Sequence, residues 1–430
     1  MTCDCQSESG VRAGEGWDTV TGSGETLAVV VLHWSANLIP GFLRAVVSSS
    51  LAVPYYSRLT VDMTLKRSKG PSGTLVVLEY VSKILKDNPL GDPHVRKLGV
   101  WLPPQYDRSA GKRRFPVLYD LVGFTGSGLA HTNWKPFGDN VPERVARLMH
   151  EGKMGPAILV FPDCFTALGG NQYVNSSAIG NYADYLTREV VPFVDREFRT
   201  LASREHRGCF GKSSGGYGAM IHGMKYAQHW GAIANHSGDA YFDFIYWADW
   251  PNTLNELARH RVPKRRAGVY KARRESTKKG LEAGLDDGRI RRFLAQVWRK
   301  EKLSAAEGHC IMNLCMAATY DPDPKAPLGF RVPFNLETGE VIGRRWARWR
   351  AHDPIHLVAK HRRALRSLRG IYIDCGWRDQ YHIHFGSRIL SRRLGVAGIR
   401  HHYEEFDDDH SDIDYRMDVS LPFLYRALKP

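Results

Sequence analysis

Gly211-Lys212-Ser213-Ser214-Gly215 sets a hydroxyl nucleophile between glycines at positions −2 and +2. A short strand-like run precedes it and a helical pattern follows, the context in which G-x-S-x-G forms a nucleophile elbow. The reason is steric. A serine exposed on so sharp a turn has strained backbone angles, so its neighbours must be small. The helix that starts there aims free N–H groups and its positive dipole end at a developing oxyanion. Only Ser213 has glycine on both sides at that spacing. Ser214 has Lys212 at −2, so Ser214 is the residue whose backbone N–H donates to the oxyanion. Gly211-Lys212-Ser213 also ends like a phosphate loop, but that pattern needs glycine at position 206, where this chain has His206. A glycine-rich turn without chemistry is the plain alternative, since short motifs recur by chance.

A serine alone is a weak nucleophile, and it needs a base that is oriented by an acid. After an elbow of this kind, the acid follows a later strand and the histidine follows the last one. The run GIYIDC leads into Gly376-Trp377-Arg378-Asp379, and IRHHYEEF leads into Asp407-Asp408-Asp409-His410. Asp379 is preferred to Asp374, which lies within the strand. His410 is preferred to His401 and His402, within the last strand, and to His382 and His384, which follow the acid too closely. The acidic run around His410 could instead ligate calcium, but it lacks a glycine-centred ligand loop. A second oxyanion donor belongs in Gly123-Phe124-Thr125-Gly126, after the apolar run FPVLYDLV, and the Phe124 backbone N–H is the choice.

The elements that must hold these residues follow from the apolar pattern. Strands are expected over Leu75–Tyr80, Lys97–Leu102, Phe115–Val122, Ala157–Phe161, Gly208–Gly211, Gly231–Asn235, Gly370–Cys375 and Ile399–Phe406. Helices are expected over Val141–His150, Asn181–Phe198, Gly216–Gln228, Ser387–Leu394 and Leu421–Leu428. This alternation predicts an α/β fold with a mostly parallel central sheet and helices on both faces. Between about 241 and 350 the rhythm breaks into basic helical segments, a cap-like insertion. The expected organisation is 1–70 as a segment of unassigned structure, 71–240 and 351–430 as the two parts of the core, and 241–350 as the insertion.

The 430 residues carry a net charge of +15. The basic residues cluster in one region, so solvated helix faces explain the charge more simply than an anionic partner does. An odd count of seven cysteines argues against a disulfide framework and for a reducing, cytoplasmic setting. Leu27–Trp34 and the stretch after it are apolar. Asn37, Pro40 and Arg44 nevertheless leave no run of about 18 apolar residues, and the acidic leader does not resemble a signal peptide. Neither a membrane nor a nucleic-acid partner is expected, and a homo-oligomer is left open.

With VWLPPQYD, FPVLYDLVGFTG, GKSSGGYGA, IDCGWRDQY and DDDHSDIDYR in place, the chain resembles the Putative esterase family of α/β-hydrolases. That family groups S-formylglutathione hydrolases, feruloyl esterases, enterochelin esterases and mycolyltransferases. The resemblance covers roughly residues 75–240 and 350–430. It implies an α/β-hydrolase fold, with Ser213, Asp379 and His410 as triad and the N–H groups of Phe124 and Ser214 as oxyanion hole. Val122-Gly123 stands where the family commonly has His-Gly, a change the backbone donor tolerates. The expected activity is serine-esterase hydrolysis of a small-molecule carboxylic ester through an acyl-enzyme, without metal or organic cofactor. An acyltransferase with the same triad, and a non-catalytic scaffold binding an anionic partner through residues 262–302, are the alternatives.

Overall fold

Continuous apolar runs become strands buried on both faces, because helices cover both sides of a parallel sheet. In the computed structural model, which describes residues 72–108, 111–261 and 271–430 (side chains of 271–276 excepted), eight strands form one sheet, most of the inner ones buried throughout and the edge strands partly exposed. They are β1 (Thr74–Val81), β2 (Val95–Leu102), β3 (Val117–Leu121), β4 (Ile158–Pro162), β5 (Arg207–Lys212), β6 (Ala232–His236), β7 (Gly370–Gly376) and β8 (His402–Phe406). Their order is β1-β2-β4-β3-β5-β6-β7-β8. β2 runs antiparallel to both β1 and β4, and the other neighbours are parallel. The fold is that of an α/β-hydrolase, as expected. The expected segment 1–70 and the first part of the basic stretch, 262–270, lie outside the described residues.

Alternate residues of β3 divide between two cores. Val117, Tyr119 and Leu121 face one layer, and Leu118 joins the other. The second layer is built by α1 (Val141–His150) and α10 (Met417–Leu428), through Val141, Val145, Leu148, Leu421 and Leu424. On the first face lie α2 (Val191–Glu197) and the central α3 (Ser214–Lys225). The expected helix over Asn181–Phe198 is present with a π-helical turn at Tyr185–Val190 ahead of α2, a bulge that apolar spacing alone does not signal.

Several boundaries differ from expectation; α10, for one, begins at Met417 rather than Leu421. α3 begins at Ser214 and ends at Lys225, not Gly216–Gln228, because the glycines there serve close packing rather than a loop. A Cβ on Gly216 would stand 2.6 Å from Asn235 Oδ1. α9 spans Ile383–Val396 rather than Ser387–Leu394. The last strand starts at His402 rather than Ile399, which leaves His401 outside it, bonded to Ser391 Oγ at 2.8 Å.

Between β6 and β7 the chain forms α4 (Trp250–Ala258), α5 (Lys271–Glu282), α6 (Arg289–Val297), α7 (Ala305–Tyr320) and α8 (Gly343–Arg350). α7 is buried on most of its surface and starts at a Ser304–Glu307 capping box. Many cations of this region are neutralised within it. The buried Arg289 binds Asp287 and Glu337, Arg345 and Arg348 share Asp321, and Lys300 binds Glu307.

His222, in the middle of α3, is fully buried. Its Nδ1 accepts from the Trp230 indole N–H at 3.0 Å, and its Nε2 lies 2.9 Å from the Tyr173 carbonyl oxygen. Both contacts suit a neutral ring, and burial lowers its pKa to about 4. A base whose folded pKa is depressed stabilises the fold above its unfolded value of about 6.5, and the stabilisation is lost as pH falls toward 4, about 3 kcal/mol in all. Asp353, which burial pushes up to about 6, acts in the opposite sense over a similar range. The difference between proteins therefore isolates the imidazole. Urea unfolding at pH 7 and pH 4.5 is expected to show a smaller acid-induced loss for His222→Gln than for wild type. Equal losses would mean that His222 is not held neutral.

Candidate active site

β3 and β5 are neighbours, and their outgoing connections leave toward opposite sides of the sheet, β3 to β4 and β5 to β6. Such a switch point leaves a crevice beyond the carboxyl ends of the two strands. Ser213 follows β5 directly and has φ 57° and ψ −124°, a left-handed backbone that a non-glycine residue adopts only when its surroundings impose it. Its N–H bonds to the His236 carbonyl at 2.9 Å, and its carbonyl receives the Tyr217 N–H at 2.9 Å. The flanking glycines leave no alternative. A Cβ on Gly215 would stand 1.7 Å from the Leu121 carbonyl oxygen, and one on Gly211 would stand 2.0 Å from the same atom.

Asp379 lies on the loop after β7, and His410 on the loop after β8. The two loops are laced together. Trp377 N–H donates to Phe406 O at 3.0 Å, Arg378 N–H donates to Asp408 O at 3.0 Å, and the Gln380 side chain accepts from His410 N–H at 2.9 Å. A side chain on Gly376 would collide with the Asp408 carbonyl, 2.3 Å from its Cβ. The result is a buried hydrogen bond of 2.8 Å between His410 Nδ1 and Asp379 Oδ2. Asp379 Oδ1 is fixed in turn by the Tyr381 N–H at 2.9 Å. Nε2 of His410 is left for another partner. Among the described residues no hydrogen bond joins it to the Ser213 hydroxyl. Burial lowers the pKa of Lys212, next to Ser213, against the opposing charges of Asp414, Asp412 and Asp379.

The competing residues take other roles. Asp374, within β7, binds His236 Nδ1 at 2.6 Å and Arg416 Nε at 3.0 Å. His236 Nε2 continues to Ser420 Oγ at 2.8 Å. This is a second Ser-His-Asp chain, but all three residues are buried and Ser420 sits within α10. It joins β6, β7 and α10. His402 stacks on Tyr372, His384 Nδ1 is buried without a partner, and neither bonds to Asp379. The acidic run is engaged elsewhere: Asp407 with Arg378, Glu404 with Arg416, Glu405 with Arg388, and Asp408 with the Tyr415 hydroxyl. Among the described residues no group of three His, Cys, Asp or Glu side chains is placed to hold a metal ion.

Gly123 lies beside the elbow; a Cβ on it would be 3.6 Å from Ser213 Cβ. Phe124 is pinned from behind by residues the sequence did not single out. A Cβ on Gly170 would stand 2.4 Å from Phe124 O and 2.5 Å from its Cα, and Gly169, at φ +97°, faces the Phe124 ring. The following Gln172 donates to Ser214 Oγ at 3.2 Å and to Asp239 Oδ2 at 3.0 Å. Tyr246 donates its hydroxyl to the same carboxylate oxygen at 2.8 Å. Burial raises the Asp239 pKa, against the hydrogen bonds from Tyr246 and Gln172 and the influence of His410, so this carboxylate sits near both the elbow and the histidine. No motif marks Gln172 or Asp239. A lone acidic residue shortly after β6 is the only trace of the latter.

A serine on a strained turn and an imidazole bound to a carboxylate are the group types that nucleophilic attack on a carbonyl carbon requires. Residues 93–420 match the model of the family described as "Putative esterase". The esterase Rv1288 of Mycobacterium tuberculosis (strain H37Rv) is 33% identical over 171 residues, which are 37% of this chain and 34% of that protein. The chain thus spans about a third of the length of the curated relatives it matches. Among solved structures, a ferulic acid esterase aligns with TM-score 0.49 and 17% identity over 83% of this chain and 98% of its own. An S-formylglutathione hydrolase from Agrobacterium tumefaciens aligns with TM-score 0.47 and 15% identity, over 85% and 99% respectively.

Proposed function

The chain belongs to the Putative esterase family, and from that premise we propose that it is a serine esterase acting on a small-molecule carboxylic ester. Ser213 is the nucleophile, His410 the base and Asp379 the residue that orients it. The observation that carries this reading is the buried 2.8 Å His410–Asp379 hydrogen bond, on loops that leave the same carboxyl edge of the parallel strands as the strained Ser213.

His410 Nε2 takes the Ser213 proton as Oγ attacks the ester carbonyl. The Phe124 and Ser214 N–H groups stabilise the oxyanion. The alcohol leaves with the proton from His410, and water activated by the same imidazole hydrolyses the acyl-enzyme. Each step is a proton transfer or an acyl transfer among Ser213, His410, the ester and water, so the proposed reaction calls on no cofactor. The ion pairs inside the insertion support this reading over a scaffold that displays a cationic face. The five described cysteines, all buried and unpaired, support a reducing cytoplasm.

The test is hydrolysis of 4-nitrophenyl esters of graded acyl length, together with labelling by a fluorophosphonate probe. No hydrolysis and no labelling would remove the esterase reading. Transfer to an added alcohol that exceeds hydrolysis would replace it with an acyltransferase.

The oxyanion hole gives a sharper expectation. In Gly170→Ala the added methyl must displace the Phe124 backbone, and loss of one oxyanion donor lowers kcat by about 10²–10³-fold. KM should change far less. A fall in KM-linked binding with kcat intact would show that Phe124 is not a donor.

A further inference from the structure

A cavity of about 310 Å³ opens at Gln380, Tyr381 and His382, the residues directly after Asp379. Its walls come from two sources. Gln380, Tyr381 and His382 belong to the acid loop, whereas Ile245, Asp249 and His309 belong to the segment between β6 and β7. The acid loop ties the cavity to the chemistry. The Tyr381 ring packs edge-on against the His410 imidazole with centroids 4.8 Å apart, and Gln380 holds the His410 N–H. On the opposite wall, His309 stacks on Tyr381 at 5.9 Å and places Nδ1 2.8 Å from Asp249 Oδ2.

The position of the cavity decides which half of an ester it receives. The imidazole that takes the serine proton returns it to the leaving oxygen, so the leaving group must lie on the imidazole side. The chemistry of the walls decides what kind of alcohol it admits. Tyr381 offers an aromatic face, while Gln380, His309, His382 and Asp249 offer hydrogen-bonding groups. No Lys or Arg lines it. Burial raises the Tyr381 pKa, and the neighbouring Asp249, Asp379 and Asp239 raise it further, so the local field is negative in a chain whose net charge is +15. A carboxylate on the alcohol would meet that field without a counter-ion.

We propose that this cavity is the leaving-group subsite of the esterase, in which Asp249 and His309 of the insertion select an uncharged, hydroxyl-bearing alcohol over an anionic one. The inference rests on the esterase reading. Asp249 bonded to His309 presents its remaining carboxylate oxygen and the outer imidazole nitrogen as hydroxyl partners, with Tyr381 beneath. The insertion thus acts on specificity through its acidic and aromatic residues, not through its cations.

The experiment compares three acetate esters that share one acyl group: 4-nitrophenyl acetate, glycerol monoacetate and O-acetylglycolate. In wild type, kcat/KM for glycerol monoacetate is expected to exceed that for O-acetylglycolate by about tenfold or more, the scale of one unscreened charge at close range. Asp249→Asn, which keeps the shape and removes the charge, should shrink that ratio about tenfold. His309→Ala should raise KM for glycerol monoacetate more than it lowers kcat, and circular dichroism and thermal melting confirm that both variants fold. A wild-type preference for O-acetylglycolate, or a ratio untouched by both folded variants, overturns the subsite. If 4-nitrophenyl acetate is not hydrolysed and Ser213 is not labelled, the esterase reading itself has failed and the subsite falls with it.

Discussion

Ser213→Ala is expected to lower kcat for ester hydrolysis by about 10⁶-fold, the scale seen when the nucleophile of such a unit is removed, with no loss of stability. The change deletes one oxygen atom at a residue whose backbone, not its hydroxyl, is tied into the fold through His236 O and Tyr217 N. The second Ser-His-Asp chain supplies the control. Ser420 has the same side chain and the same kind of histidine partner, at 2.8 Å from His236. It is fully buried inside α10, where no ester can reach it. Ser420→Ala should therefore keep activity and lose about 1–2 kcal/mol of stability, because His236 Nε2 is left without its partner. Rates with a 4-nitrophenyl ester and urea midpoints, measured on both variants, separate the two serines. Retained activity in Ser213→Ala would refute the assignment outright.

Asp379→Asn should cost about 10⁴-fold in kcat, with much smaller effects on KM and melting temperature. The amide keeps the shape of the carboxylate and can still accept the Tyr381 N–H at Oδ1. At the His410 contact, however, an amide N–H can meet Nδ1, and the imidazole then adopts the tautomer whose Nε2 carries a proton. Such a ring cannot take the proton of Ser213. Asp374→Asn provides the contrast, because its carboxylate is fully buried between His236, Arg416 and the Tyr372 hydroxyl. Breaking that cluster is expected to destabilise the fold by about 3–5 kcal/mol. If Asp374→Asn folded normally and lost activity while Asp379→Asn did not, the acid would have been misassigned.

The residues assigned to the chemistry were legible because each stands at a strand end, and strand ends follow from apolar runs. Ser213 closes β5, Asp379 follows β7 and His410 follows β8, in the order that a parallel sheet can bring to one edge. Asp374 could be set aside for the same reason, since a residue inside a central strand is committed to packing. Strand direction was less legible. β1 alternates exposed and half-buried residues as an edge strand does, but nothing in that pattern shows that β2 reverses between β1 and β4. The support around the site was least legible. Gln172, Gly169 and Gly170 lie in an irregular loop after β4, and their contacts with Ser214, Asp239 and Phe124 depend on how that loop folds back over the sheet. Neither periodicity nor a motif encodes such a return. In the basic insertion, a count of charges does not reveal that Arg289, Arg345 and Lys300 bind internal carboxylates.

The most direct test of the central claim is peptide mapping by mass spectrometry after reaction with a fluorophosphonate probe. The account predicts one phosphonylated residue, Ser213, with labelling lost in Ser213→Ala, retained in Ser420→Ala and sharply slowed in Asp379→Asn. An adduct on any other serine, or a native, folded protein that takes no label, would contradict it.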